Sequence, residues 1–149
     1  MILDTKTLFS ENQAIVTTAP STNVVDLGPL GKTGYLQQQL RRRKGMGEDI
    51  PLYIKITEDF SELVSLTIQV QSSDDSTFAT GTVTHIALPI TLAQAVKGWI
   101  CPIEVLPRAI TGRYLRLNYV VVAGASPEDT GTVTAAIVAA VDNGYRGNP

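Results

Sequence analysis

His85 is the only histidine in the sequence and Cys101 the only cysteine. Nucleophilic catalysis by a Ser-His-Asp relay or a Cys-His pair would therefore have to be built around His85. It stands in the strand-like run Val83-Thr84-His85-Ile86, and no G-x-S-x-G turn presents a serine to it. It reads as a surface or barrel-wall histidine. Cys101 lies in the apolar run Trp99-Ile100-Cys101-Pro102-Ile103, which reads as a buried and inert thiol. One cysteine and one histidine cannot complete a four-ligand zinc site. A metal enzyme on a cupin-like scaffold wants several histidines. The expectation is a protein without a cofactor, a metal or a catalytic site.

The acids and glycines point the same way. Asp74-Asp75 inside Ser72-Ser73-Asp74-Asp75-Ser76 resembles the start of a calcium loop, but alternating ligands, a glycine at the sharp turn and a late glutamate are missing. Asx and Ser side chains closing a turn between strands explain it better. Glu48-Asp49 has no second carboxylate placed near it by sequence and reads as a pair of solvated loop acids. Gly31-Lys32-Thr33 has the end of a phosphate-binding loop, but Asp26 occupies the place of that loop's first glycine. The run Arg41-Arg42-Arg43-Lys44 is the one dense charge cluster. It reads either as a contact to an acidic partner surface or as a solvated loop. Without interleaved aromatics, on a chain of net charge −2, it is a poor nucleic-acid site.

The elements that would position such contacts are strands. Leu52, Ile54 and Ile56 alternate with Tyr53, Lys55 and Thr57. Leu66, Ile68 and Val70 alternate with Ser65, Thr67, Gln69 and Gln71. Residues 114–122 place Leu115, Leu117 and Tyr119 on one face and Arg116, Asn118 and Val120 on the other. Residues 132–141 place Val133, Ala135, Ile137, Ala139 and Val141 together. This period of two marks strands with one buried face. Further strand candidates are residues 14–16, 24–27, 83–88 (ended near Pro89) and 99–105, the last weakened by Pro102. Residues 92–96 have room for one helical turn. Residues 28–47 lack alternation and hold Pro29 and five glycines. They read as a long loop, of a length that is often functional. No βαβ alternation and no fixed repeat is visible. The reading is an all-β, antiparallel sandwich or barrel of about eight strands.

The totals agree. A chain of 149 residues, 44% hydrophobic and 17% charged, suits one globular domain that buries roughly 70% of its unfolded surface. It needs no disulfide or metal to hold a core. With a pI near 5.3 it has no global attraction to nucleic acid or an anionic membrane. The start MILDTKTLFSENQ has an early acid and no long apolar stretch, and residues 133–141 are too short to cross a bilayer. The expectation is synthesis in a reducing cytoplasm and no membrane contact.

Several segments, in order, resemble the jelly-roll capsid cement (decoration) proteins of short-tailed bacteriophages. They are Met1-Ile2-Leu3-Asp4 with Phe9-Ser10-Glu11-Asn12-Gln13-Ala14, then Ser21-Thr22-Asn23-Val24-Val25-Asp26-Leu27-Gly28. Gly45-Met46-Gly47-Glu48-Asp49-Ile50-Pro51-Leu52-Tyr53 and Leu66-Thr67-Ile68-Gln69-Val70-Gln71-Ser72-Ser73-Asp74-Asp75 follow. Arg113-Tyr114-Leu115-Arg116-Leu117-Asn118-Tyr119 and Gly131-Thr132-Val133-Thr134-Ala135 complete the set. Residues 29–44 depart from the pattern, being longer than that family's connection. The resemblance implies an eight-stranded jelly roll on the outer surface of a phage head. It implies binding to the major capsid protein, a symmetric homo-oligomer (a dimer before a trimer), no direct nucleic-acid contact and no reaction. A second reading, from a different class, is a carbohydrate- or receptor-binding jelly roll using Trp99 or Tyr35.

Three regions are expected to make partner contacts. One is an N-terminal arm, residues 1–12, with Leu8 and Phe9 docking on a neighbour. The second is the long loop with Tyr35 and the basic residues Arg41, Arg42, Arg43 and Lys44. The third is the tail, residues 143–149, with Tyr145 and Arg146. The jelly-roll domain proper is expected over residues 13–142.

Overall fold

The period-two segments form the strands they announce. The computed structural model describes residues 3–32, 34, 37, 49–108, 110–126 and 130–139. Eight strands run through them: β1 (Leu8–Ala14), β2 (Ala19–Pro20), β3 (Val25–Asp26), β4 (Leu52–Glu58), β5 (Leu63–Ser73), β6 (Val83–Thr91), β7 (Tyr114–Ala123) and β8 (Thr132–Ile137). Along β4, from Leu66 to Val70 of β5 and from Leu115 to Tyr119 of β7, buried core-facing residues alternate with half-buried or exposed ones; beyond these stretches Gln71 is buried, and Val64 and Val122 are exposed.

Every strand pair is antiparallel. One sheet has the order β1-β8-β4. The other has β2-β7-β5-β6, with β3 also on β7. The chain thus crosses between sheets from β1 to β2 and β3, back to β4, and over again to β5 and β6. Residues 99–106 then return to the first sheet along the free edge of β4, before β7 and β8 close the two sheets. This is the order of a jelly-roll sandwich, as the alternation and the resemblance led one to expect.

The core lies between the sheets. Ile54 and Ile56 of β4, Leu66 and Ile68 of β5, Leu115 and Leu117 of β7, and Val133 of β8 are fully buried there. Each aliphatic side chain of this size contributes roughly 1.5–3 kcal/mol by leaving water. Gly131 leads into β8 with a φ of +109°, and a side chain there would run into the ring of Phe60. Both facts require glycine at that point.

Four elements differ from the sequence expectation. The proposed arm is a strand from Leu8 onward. Phe9 is fully buried in the main core, and Leu8 is buried against Ala136 and Val138. Neither side chain is therefore an open contact for a neighbour. Residues 99–105 do not form a strand, because Pro102 and Pro107 interrupt the ladder. Isolated bridges Lys55↔Ile100 and Pro51↔Val105 remain, and backbone bonds such as Cys101 N–H to Ile54 O (2.9 Å) strap the edge of β4. Strand β6 runs on through Pro89 to Thr91, which is tolerated because β6 is an edge strand with β5 as its one partner. Residues 92–96 make a hydrogen-bonded turn through Ala95 N–H to Thr91 O (3.0 Å). Strand β8 ends at Ile137, so Ala139 is an exposed residue beyond it.

Candidate functional site

Tyr35, Arg41, Arg42, Arg43, Lys44, Tyr145 and Arg146 lie outside the described residues. Leu8 and Phe9 belong to the interior.

The structure brings a serine to His85. Ser72 Oγ lies 2.8 Å from His85 Nε2, across the irregular register between β5 and β6. Partial burial pushes the imidazole pKa below the ordinary histidine value, which favours the neutral ring at pH 7. Ser72 itself is buried. Gly112 packs so closely that a methyl on it would stand 2.9 Å from Ser72 Oγ. The pair has the contacts of a nucleophile and its base, but the hydroxyl is walled in rather than open to a substrate. Cys101 is also buried, and desolvation raises its thiol pKa. This is the environment of a structural cysteine.

Asp75 organises the loop between β5 and β6. Its carboxylate accepts the N–H groups of Thr77 (2.9 Å), Ala79 (3.1 Å) and Thr80 (3.2 Å), and these bonds hold its pKa below the usual value. It closes a turn, as its flanking residues suggested. Among the described residues no group of three His, Cys, Asp or Glu side chains is spaced to hold a metal, and no helix is long and apolar enough to cross a membrane. A polar cleft of about 580 Å³ lies between the N-terminal turn at Lys6 and the Thr22 to Asp26 segment. Its acid, Asp26, is engaged by Arg113 at 2.8 Å.

A connected polar network lies on the outer side of the five-stranded sheet. Gln69 pairs with Asn118, and Gln71 with Arg116, across β5 and β7; Gln71 also pairs with Thr84 of β6. Asn118 Nδ2 donates to Gln69 Oε1 (3.0 Å). Gln71 Nε2 donates to Gln69 Oε1 (3.0 Å) and to Thr84 Oγ1 (3.2 Å). Arg116 Nε donates to Gln71 Oε1 at 2.9 Å. The Arg116 guanidinium carbon also sits 4.2 Å above the Phe78 ring. Phe78 holds a φ of +57°, unusual for a bulky side chain. Its backbone is fixed by bonds to Asp75 O (3.1 Å) and from Thr82 Oγ1 (3.0 Å).

The model of one known family, Bbp16, matches residues 9–141. The chain belongs to the Bbp16 family. The matched span starts within β1 and runs past β8, so Bbp16 family membership rests on the whole sandwich rather than on one motif. No curated protein matches the chain.

The period of two had already put Gln69, Gln71, Arg116 and Asn118 on outward positions. It gave no sign of Phe78. That residue sits in the β5–β6 loop, and the loop's fold, rather than any strand register, carries its ring beneath Arg116.

Proposed function

We propose that this chain is a structural virion protein, a capsid cement that binds the outside of a phage head and bridges neighbouring major capsid proteins. The observation that carries the reading is where the cement-like segments fall. Phe9 to Ala14 lie in β1, Leu66 to Ser73 in β5, Arg113 to Tyr119 lead into and along β7, and Gly131 to Ala135 enter β8. The resemblance therefore runs through both sheets of the jelly roll and is not confined to one hairpin. The span of the family match is consistent with this.

In this reading the chain performs no reaction. It forms a symmetric homo-oligomer, dimer before trimer, and touches neither DNA nor membrane. Many identical weak contacts, each strengthened by the effective concentration that the lattice imposes, oppose the pressure of packed DNA. The walled-in Ser72 and the loop-closing Asp75 suit a scaffold. A glycan-binding role has less support: Phe78 is covered by Arg116, and Trp99 packs against the core.

The test is reconstitution. Purified chain added to expanded heads that lack it should bind saturably and raise the temperature at which the heads release DNA. Heads that neither bind it nor gain stability would refute the proposal.

A further inference from the structure

Three arginines stand among the described residues. Arg108 pairs with Asp49 at 2.8 Å, and Arg113 pairs with Asp26 at 2.8 Å. Arg116 is different. Its Nε bonds to the neutral amide of Gln71, and among the described residues no carboxylate lies within ion-pair reach of it.

Its position is nevertheless built. The guanidinium carbon lies over the Phe78 ring, 4.2 Å from its centroid, and Phe78 is held in its unusual backbone conformation by the Asp75-centred loop. Gln71 is buried and is itself fixed by Gln69 and Thr84. Two parts of the guanidinium are therefore committed: its contact over the Phe78 ring and its Nε–H to Gln71. What remains is the terminal edge, with its paired N–H donors, on the outer face of the sheet. That edge matches a carboxylate in the side-by-side geometry that arginine favours.

From this arrangement we infer that Arg116 is the anchor of a protein-docking surface on the outer face of the five-stranded sheet, and that it takes an aspartate or glutamate side chain of the partner. The strand carrying it supports a protein partner. Along β7 the outward positions pass from Arg116 and Asn118 to Val120 and Val122, and Val122 is 48% exposed. Exposed Val64 stands at the irregular register beside the Ser65↔Val122 pair. An acid at one end and apolar side chains about 20 Å away along the strand would fit this face. Nucleic acid, uniformly charged, would leave the valines unused. Preorganisation also favours tight binding, since little side-chain freedom is left to lose. The identity of the partner as the capsid shell rests on the proposed function; the chemistry of the anchor does not.

The experiment uses the full chain and Arg116→Met, which keeps an apolar stem over Phe78 and removes the charge. Binding to heads lacking the protein should weaken at least tenfold in the variant at a temperature where circular dichroism shows both proteins folded. Equal binding by wild type and variant overturns the inference. If the wild type does not bind heads at all, the proposed function fails, and a second measurement decides this point alone. The wild-type chain is titrated with poly-L-glutamate while the Arg116 Nε–H and Gln71 side-chain amide signals are followed by NMR. Saturable shifts of both sustain the anchor. Unmoved signals overturn it, as does a response to a DNA oligonucleotide but not to polyglutamate.

Discussion

The phenol of Tyr119, on the inner face of β7, lies 2.9 Å from the hydroxyl of Ser10 on β1, and both residues are fully buried. The contact joins the two sheets through the core. Ser10 Oγ donates to Gln13 Oε1 at 2.7 Å, so the hydroxyl shared with Tyr119 accepts and the phenol donates. Gln13 then carries the link to Pro20 O (2.8 Å) and from Thr22 N–H (2.8 Å), beside the other sheet. Burial holds the phenol protonated by raising its pKa well above the ordinary value.

This chain of donors makes the two ends of the bond unequal. Tyr119→Phe removes a donor and leaves Ser10 still bonded to Gln13, so it should cost about 1 kcal/mol. Ser10→Ala strands a buried phenol donor and should cost more, about 1–3 kcal/mol. Urea unfolding of both variants measures this. A Tyr119→Phe loss larger than that of Ser10→Ala would refute the donor assignment.

The raised phenol also predicts an alkaline dependence. In the unfolded chain tyrosine ionises near pH ~10, while in the folded chain Tyr119 stays neutral beyond that. Its contribution is fully present below that pH and is lost as pH rises toward the folded value. The stability advantage of wild type over Tyr119→Phe should therefore narrow between about pH 9 and pH 11. An advantage that widens over the same range would contradict the burial of the phenol.

Asp75 should behave in the opposite sense. Its lowered pKa means that the loop between β5 and β6 keeps its carboxylate bonds until the pH falls below the ordinary aspartate range, about 3.9. The Thr77 amide signal should titrate with a midpoint below that value. Asp75→Ala should speed hydrogen exchange at the Thr77, Ala79 and Thr80 amides at neutral pH. Unchanged exchange would show that the loop is held by something else.

Gly131→Ala tests the entry to β8. The substitution places a methyl against the Phe60 ring at a φ of +109°. It should cost about 1–3 kcal/mol through overpacking, with added backbone strain. A neutral outcome in urea unfolding would mean that Phe60 can swing aside without loss.

Much of this fold was legible because strands with one buried face write a period of two. Leu52, Ile54 and Ile56, or Leu115, Leu117 and Tyr119, fell on the core side as their spacing required. Strand β1 was not legible. Its Ser10, Glu11, Asn12 and Gln13 look like a polar arm, and two register irregularities against β8 break the alternation that would have marked a strand. What makes it a strand is tertiary: Phe9 fills the core, and the Ser10 hydroxyl meets a tyrosine 109 positions away. The outer-face polar cluster was half legible for a similar reason. Register alone places Gln69, Gln71, Arg116 and Asn118 together, whereas Phe78 and the Ser72–His85 contact depend on how a loop and an irregular pairing fold.

The central proposal, a cement on the outside of a phage head, is tested most directly by cryo-EM of heads assembled with and without the chain. The account predicts added density on the outer surface, into which the two-sheet jelly roll fits, bridging neighbouring major capsid proteins. Identical maps with and without the chain, or density for it inside the shell, would contradict it.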